Sequence, residues 1–171
     1  MLVMLLAMMA ADVQAIPSNK EEVEFECDTP GGHFSYWSRK MQTPTARIEG
    51  EIKIKDLRRT EKWLPVANIF LLDASDKTVA GIGLTQDPQA SQHFYIVARI
   101  PPNGGKKLIG GFDVSEASIP LALGYDGSEL QIEVGSQSWR IDFKSSIAEK
   151  IQLSCSSGDF RFQNMVITEK F

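Results

Sequence analysis

Apolar and polar residues alternate with a period of two in short runs along most of this chain, and a helical period of 3.6 almost never appears. Successive side chains of an extended strand point to opposite faces, so each run commits one face to a core and the other to water. The clearest run is Arg47-Ile-Glu-Gly-Glu-Ile-Lys-Ile-Lys55, with Ile48, Ile52 and Ile54 on one face and Arg47, Glu49, Glu51 and Lys53 on the other. The pattern predicts strands at 23–27, 33–40, 46–55, 66–73, 79–86, 93–100, 107–113, 119–125, 129–134, 138–143, 150–155 and 159–168. So many short strands imply two packed sheets. Turn residues separate them at Pro30-Gly31-Gly32, Asp73 to Asp76, Asp87-Pro88, Pro101 to Gly105 and Asp126-Gly127, the last being the strongest hairpin signal. The run at 66–73 is apolar on both faces apart from Asn68, as a central strand covered on both sides, or one lying under a loop, would be. The one helical candidate is the short charged stretch from Asp56 to Lys62, with a turn beneath Trp63 as the alternative.

The chain has 171 residues, 43% hydrophobic and 23% charged, which suits one folded domain and excludes disorder or a fibrous repeat. Residues 1–15 form an apolar run too short to cross a bilayer, ending in Val13-Gln14-Ala15 with small residues where a signal peptidase cuts. They are expected to be a signal peptide, leaving 16–171 as a single exported domain, periplasmic or secreted. The run lacks a basic n-region, so the alternatives are a start further upstream or an uncleaved anchor. No later segment is long and apolar enough for a transmembrane helix. A net charge of −4, with basic residues scattered among acids, argues against nucleic acid as a partner. The two cysteines, Cys27 near the first strand and Cys155 near the last, are expected to form a disulfide tying the chain ends together. Two buried free thiols are the alternative, and a metal site would lack half its ligands.

The order strand, Asp-Gly turn, strand, then a last strand ending in Phe-x-Asn-x-x-Ile resembles the closing strands of concanavalin A-like jelly rolls. The residues that carry the likeness are Gly50-Glu-Ile-Lys-Ile54, Gly124-Tyr-Asp-Gly-Ser-Glu-Leu-Gln-Ile-Glu-Val134 and Phe160-Arg-Phe-Gln-Asn-Met-Val-Ile167. The resemblance implies an all-β, two-sheet antiparallel sandwich. It also implies a superfamily that includes lectins, carbohydrate-binding modules, glycoside hydrolases and polysaccharide lyases, so function must be argued from residues.

Glucanases of this fold carry Glu-x-Asp-x-x-Glu on one strand, because retention needs two carboxyls roughly 5 to 5.5 Å apart. Here Glu49 and Glu51 are two residues apart on a wet face, but Lys53 takes the third acidic position. A second constellation joins Arg47 and Glu49 to His93 and Tyr95, with Arg99 further along the same strand. On one sheet these would offer a cation for a uronate and groups to move a proton. The Gln-Ile-His or Gln-Val-His motif of alginate lyases is absent. Tyr36, Trp37, Trp63, Tyr95, Tyr125 and Trp139 are the candidate sugar platforms, with Trp139 expected in the core beside Ile141 and Phe143. Tyr36 and Trp37 must face opposite ways. Lectin domains of this superfamily often hold calcium on loop carboxylates, but no Asp-x-Asp-x-Asp-Gly loop occurs and His33 and His93 lack metal-motif spacing, so neither a metal nor another cofactor is expected.

The leading expectation is non-catalytic binding of a polysaccharide or other cell-envelope glycan through Tyr36, Trp37, Trp63, Tyr95 and Arg99. One alternative is a lyase or glycoside hydrolase using Arg47, Glu49, His93 and Tyr95. The other is a structural domain of the envelope that meets a protein partner.

Overall fold

The computed structural model describes residues 18–100, 105–114, 118–144 and 147–170. The expected signal segment and most of the Pro101 to Gly105 turn lie outside them. All twelve predicted strands are present: β1 (Ser18–Asp28), β2 (Phe34–Lys40), β3 (Ala46–Leu57), β4 (Val66–Leu72), β5 (Thr78–Gln86), β6 (His93–Ile100), β7 (Gly105–Asp113), β8 (Ser118–Tyr125), β9 (Glu129–Val134), β10 (Gln137–Asp142), β11 (Lys150–Ser156) and β12 (Gly158–Lys170). They form two six-stranded sheets, ordered β1-β12-β3-β8-β9-β10 and β2-β11-β4-β5-β6-β7, with antiparallel pairing throughout.

The alternating apolar residues meet between the sheets. Ile48, Ile52, Phe160, Phe162 and Ile167 come from the first sheet, and Ile69, Leu71, Ile82, Leu84, Phe94, Ile96 and Leu153 from the second, all fully or almost fully buried. Each such side chain contributes about 1.5–3 kcal/mol by leaving water. Trp139 and Ile141 pack against this core from β10, an edge strand that leaves them half-buried.

The turns form where the sequence places them. At the β8–β9 hairpin the Asp126 carboxylate accepts from the backbone N–H groups of Ser128 (2.8 Å) and Glu129 (2.7 Å), while Gly127 takes a φ of 93°. Those bonds, Ser128 first, hold the Asp126 carboxyl below the usual carboxylate range. Asp73 accepts from Ser75 and Lys77 in the same way. The helical candidate at 56–62 does not form. β3 continues to Leu57, and the Arg58 N–H then donates to the Ser157 carbonyl at 2.9 Å, which spends the local backbone on the sheet.

Cys27 and Cys155 are bridged. The first and last strands do lie side by side, as β1 and β12, but Cys155 belongs to β11 in the other sheet. The bridge therefore crosses the core and fastens one sheet to the other. A second tie crosses at the opposite end of β12. There the buried Glu169 carboxylate accepts from Arg39 of β2 (2.6 Å) and from the backbone N–H groups of Gln42 (2.5 Å) and Thr43 (2.8 Å).

Candidate ligand face

The outer surface of the second sheet has a smooth floor between two functionalised margins. Core residues Ile69 and Leu71 of β4 force Asn68 and Phe70 outward, and Ile82 and Leu84 of β5 likewise force out Gly81, Gly83 and Thr85. Cross-strand pairing lines these up as Tyr36, Ser154, Asn68, Gly83, Val97 and Leu108 in one row and Ser38, Gln152, Phe70, Gly81, Arg99 and Lys106 in the next. The two glycines of β5 keep the middle low. At Gly83 a side chain would meet Asn68 Oδ1 at 2.7 Å. At Gly81, with a φ of +155°, a side chain would run into the Ile69 carbonyl oxygen and into Phe70 Cδ1 at 2.9 Å. Asn68 Nδ2 donates to Ser154 Oγ across the floor at 3.3 Å.

One margin is aromatic. Phe34 and Tyr36 on β2 are 71% and 55% exposed, and their rings are stacked with centroids 6.3 Å apart at 16°. Trp37 points the other way and packs on the core, as alternation demands. Trp63, 56% exposed, stands over Gly32 in the turn before β2, three residues ahead of the start of β4.

The other margin is polar. The Tyr95 hydroxyl donates to Asp87 Oδ2 at 2.6 Å, and Asp87 Oδ1 accepts from the Gln89 N–H at 2.7 Å. The bond to Asp87 raises the Tyr95 phenol above its ordinary pKa, and the same bond holds the Asp87 carboxyl low. The His93 ring meets Tyr95 edge-on at 5.3 Å, and its Nδ1 lies 2.8 Å from Asp113 Oδ1. Arg99 reaches over Gly81 to set its guanidinium above the Phe70 ring, 5.7 Å from the centroid.

Arg47, Glu49, His93 and Tyr95 do not come together. Arg47 and Glu49 lie on the outside of the first sheet, through β3, whereas His93 and Tyr95 lie on the outside of the second, through β6. The reason is topological: β4 to β7 form one meander of paired neighbours, so crossing from β3 to β4 moves the chain to the other sheet. Arg47 is ion-paired with Glu49 (2.8 Å) and Glu133 (3.3 Å). Glu51 accepts from Ser118 (2.6 Å) and Gln163 (2.9 Å), and these bonds, Ser118 first, lower its pKa. A recess of about 240 Å³ lies beside Arg47, lined also by Thr45, Gly124 and Gln131. It is on the first sheet, away from the aromatic margin. Among the described residues no group of three or more His, Cys, Asp or Glu side chains is arranged to hold a metal ion.

Sequence reasoning passed over Phe34, Asn68, Phe70, Ser154 and the Gly81–Gly83 floor. Two signals pointed there: Asn68 as the lone polar residue of an apolar strand, and glycines at alternate positions of β5 that clear one face.

No family model matches the chain, and no curated protein sequence matches it. Solved structures share its architecture. A polysaccharide lyase of family 18 superposes with a TM-score of 0.62 at 10% identity, over 86% of this chain and 88% of that one. The β-glucanase of Bacillus licheniformis gives 0.55 at 14% identity, over 88% and 79%. A tetrameric galectin from the ball sponge Cinachyrella sp. gives 0.55 at 9% identity, over 77% and 97%. At such identities the likeness is one of fold, and that fold is the concanavalin A-like jelly roll. Its solved neighbours here are carbohydrate-active or carbohydrate-binding proteins.

Proposed function

We propose that this domain binds a glycan along the outer face of the second sheet and does not cleave it. The observation that carries the reading is the exposed Phe34–Tyr36 ladder beside a polar floor. Sugar C–H faces pack on aromatic rings while hydroxyls seek donors and acceptors such as Asn68, Ser154 and Tyr95. The shared fold with a lyase, a glucanase and a galectin supports a carbohydrate ligand.

Binding is favoured over catalysis by the state of the candidate acids and bases. A general base works best with a pKa near the working pH, whereas the Tyr95 phenol is raised and holds its proton in a hydrogen bond to Asp87. Glu49 and Glu51 are engaged by Arg47, Ser118 and Gln163 on the far side of the sandwich. The buried bridge suits an oxidising compartment, in keeping with export directed by residues 1–15. The intact mass of protein recovered from outside the cytoplasm checks that: the expected chain begins at Ile16.

The test is a glycan array with wild-type protein and Tyr36→Ala, followed by product analysis of every glycan that binds. Bound glycan recovered intact, with binding lost in Tyr36→Ala, is the expected result. Cleavage products would overturn the non-catalytic reading, and binding indifferent to Tyr36 would overturn the face.

A further inference from the structure

The charges of this acidic chain are divided unevenly between its two sheets. The strands of the first sheet carry seven Lys and Arg against thirteen Asp and Glu. Those of the second carry six Lys and Arg against a single carboxylate, Asp113. Many cations are matched: on the first sheet Lys55 by Glu26, Arg161 by Glu24 and Arg47 by Glu49 and Glu133, just past β3 Arg58 by Asp28 and Asp56, and on the second sheet Arg39 by Glu21 and Glu169 and Lys150 by Asp76. Arg99 is different. Its register neighbours are Gly81 on one side and Lys106 on the other, and among the described residues it has neither a hydrogen bond nor an ion pair.

Two like charges directly opposite on paired strands cost stability, and here no acid on β4, β5 or β6 relieves them. Burial lowers the Arg99 pKa, so its charge is partly stripped of water without gaining a counter-charge from the described residues. The Phe70 ring occupies one side of the guanidinium, which steadies the group while its N–H donors have no acceptor among the described residues. A steadied, partly desolvated guanidinium is suited to bidentate capture of a carboxylate. The Arg99 guanidinium lies over Phe70 of β4, and from the Tyr36 platform on β2 to β4 is two strand spacings, roughly 10 Å, a span for two or more linked sugars and not for a monosaccharide.

We propose that the glycan held by this face is acidic, with the carboxylate of a uronic acid residue paired to Arg99 while a sugar further along the chain stacks on Tyr36. This rests on the glycan-binding reading and adds the ligand class. Lys106 adds to the attraction from across the strand pair, so binding weakens as salt screens it.

The test is titration calorimetry with three uronate polymers, polygalacturonate, alginate and hyaluronate, alongside methyl-esterified polygalacturonate, dextran and dextran sulfate. Wild-type protein is compared with Arg99→Gln and with Lys53→Gln, which removes the same charge from the other sheet. Thermal midpoints of both variants verify folding. At least one uronate polymer is expected to bind, and the Arg99→Gln change to weaken it about tenfold or more, as loss of a charge-assisted pair does. Esterification should weaken polygalacturonate equally if that is the polymer bound, and Lys53→Gln should bind as wild type. The acidic assignment is overturned if Arg99→Gln binds as wild type or if the neutral polymers bind as well as the acidic ones. It is also overturned if dextran sulfate binds as tightly and loses no more in Arg99→Gln than in Lys53→Gln, which would mean a diffuse field. Binding of neutral polymers alone leaves the glycan reading standing, whereas no binding across all six probes removes both.

Discussion

Replacing Cys27 and Cys155 together by alanine is expected to bring this domain to the margin of stability. The bridge closes a loop with a sequence separation of 128 residues. In the chain-entropy account, cross-linking a loop of that length removes about 16 to 17 cal/mol/K from the unfolded ensemble, about 5 kcal/mol at 25 °C. Both cysteines are essentially without solvent exposure, so truncation to alanine also leaves a small void worth about 1 kcal/mol. A loss of roughly 6 kcal/mol compares with a total of about 5–15 kcal/mol for a domain of ordinary stability. Urea unfolding followed by the fluorescence of Trp37 and Trp139, both packed on the core, gives the free energy and the m-value in one experiment. A companion variant with Cys27→Val restores volume and isolates the closure term. The expected signature is a stability loss near 5 kcal/mol in the companion with a larger m-value, since an unlinked chain exposes more surface when it unfolds. A loss under about 2 kcal/mol with an unchanged m-value would refute the reasoning, because the unfolded chain would then already be held compact without the bridge.

Gly81→Ala should destabilise the domain by about 2–4 kcal/mol, combining strain at its φ of +155° with the collision against the Ile69 carbonyl and Phe70. Denaturation midpoints check the stability, and the same variant should bind glycan more weakly because Phe70 supports Arg99. Burial pushes the Glu169 carboxyl up, but the hydrogen bonds from Thr43, Arg39 and Gln42 together outweigh it and hold its pKa below the ordinary value of 4.5. A depressed folded-state pKa means the stabilisation is complete above the unfolded value and fades as pH falls through the folded one. Glu169→Gln is therefore expected to be less stable than wild type near neutrality and to approach it in acid, read from thermal midpoints across that range.

The fold was legible because strand identity depends on local alternation, which marked the core face of most strands, though not of the run at 66–73 that is apolar on both sides. Arg47 to Lys55 is the plainest instance: Ile48 and Ile52 are buried and the charged partners are wet, as the spacing required. Even the pairing of first and last strands followed from sandwich architecture. Alternation says nothing, however, about which sheet receives a strand. Arg47 and Glu49 carry the same local signature as His93 and Tyr95, and only the crossing between β3 and β4 separates them by the thickness of the core. The cysteines show the same limit, since a bridge was readable from their number while its course between sheets was not.

The ligand face was hidden for a related reason. Its elements are small or apolar residues whose value is positional: Gly81 and Gly83 matter because Asn68 and Phe70 stand beside them across β4, and Arg99 matters because Gly81 lets it reach Phe70. In the sequence these residues span 68 to 99 with no shared motif. Folding brings them into adjacent register rows, and it also leaves almost all the strand carboxylates on the other sheet. Net charge averages over both sheets, and so it conceals that the strands of the second sheet carry six bases against one carboxylate. For a sandwich, charge is better counted strand by strand once sheet membership is known, because each outer face meets its ligand separately and salt screens exposed charges beyond roughly 8 Å, so the nearest charges dominate.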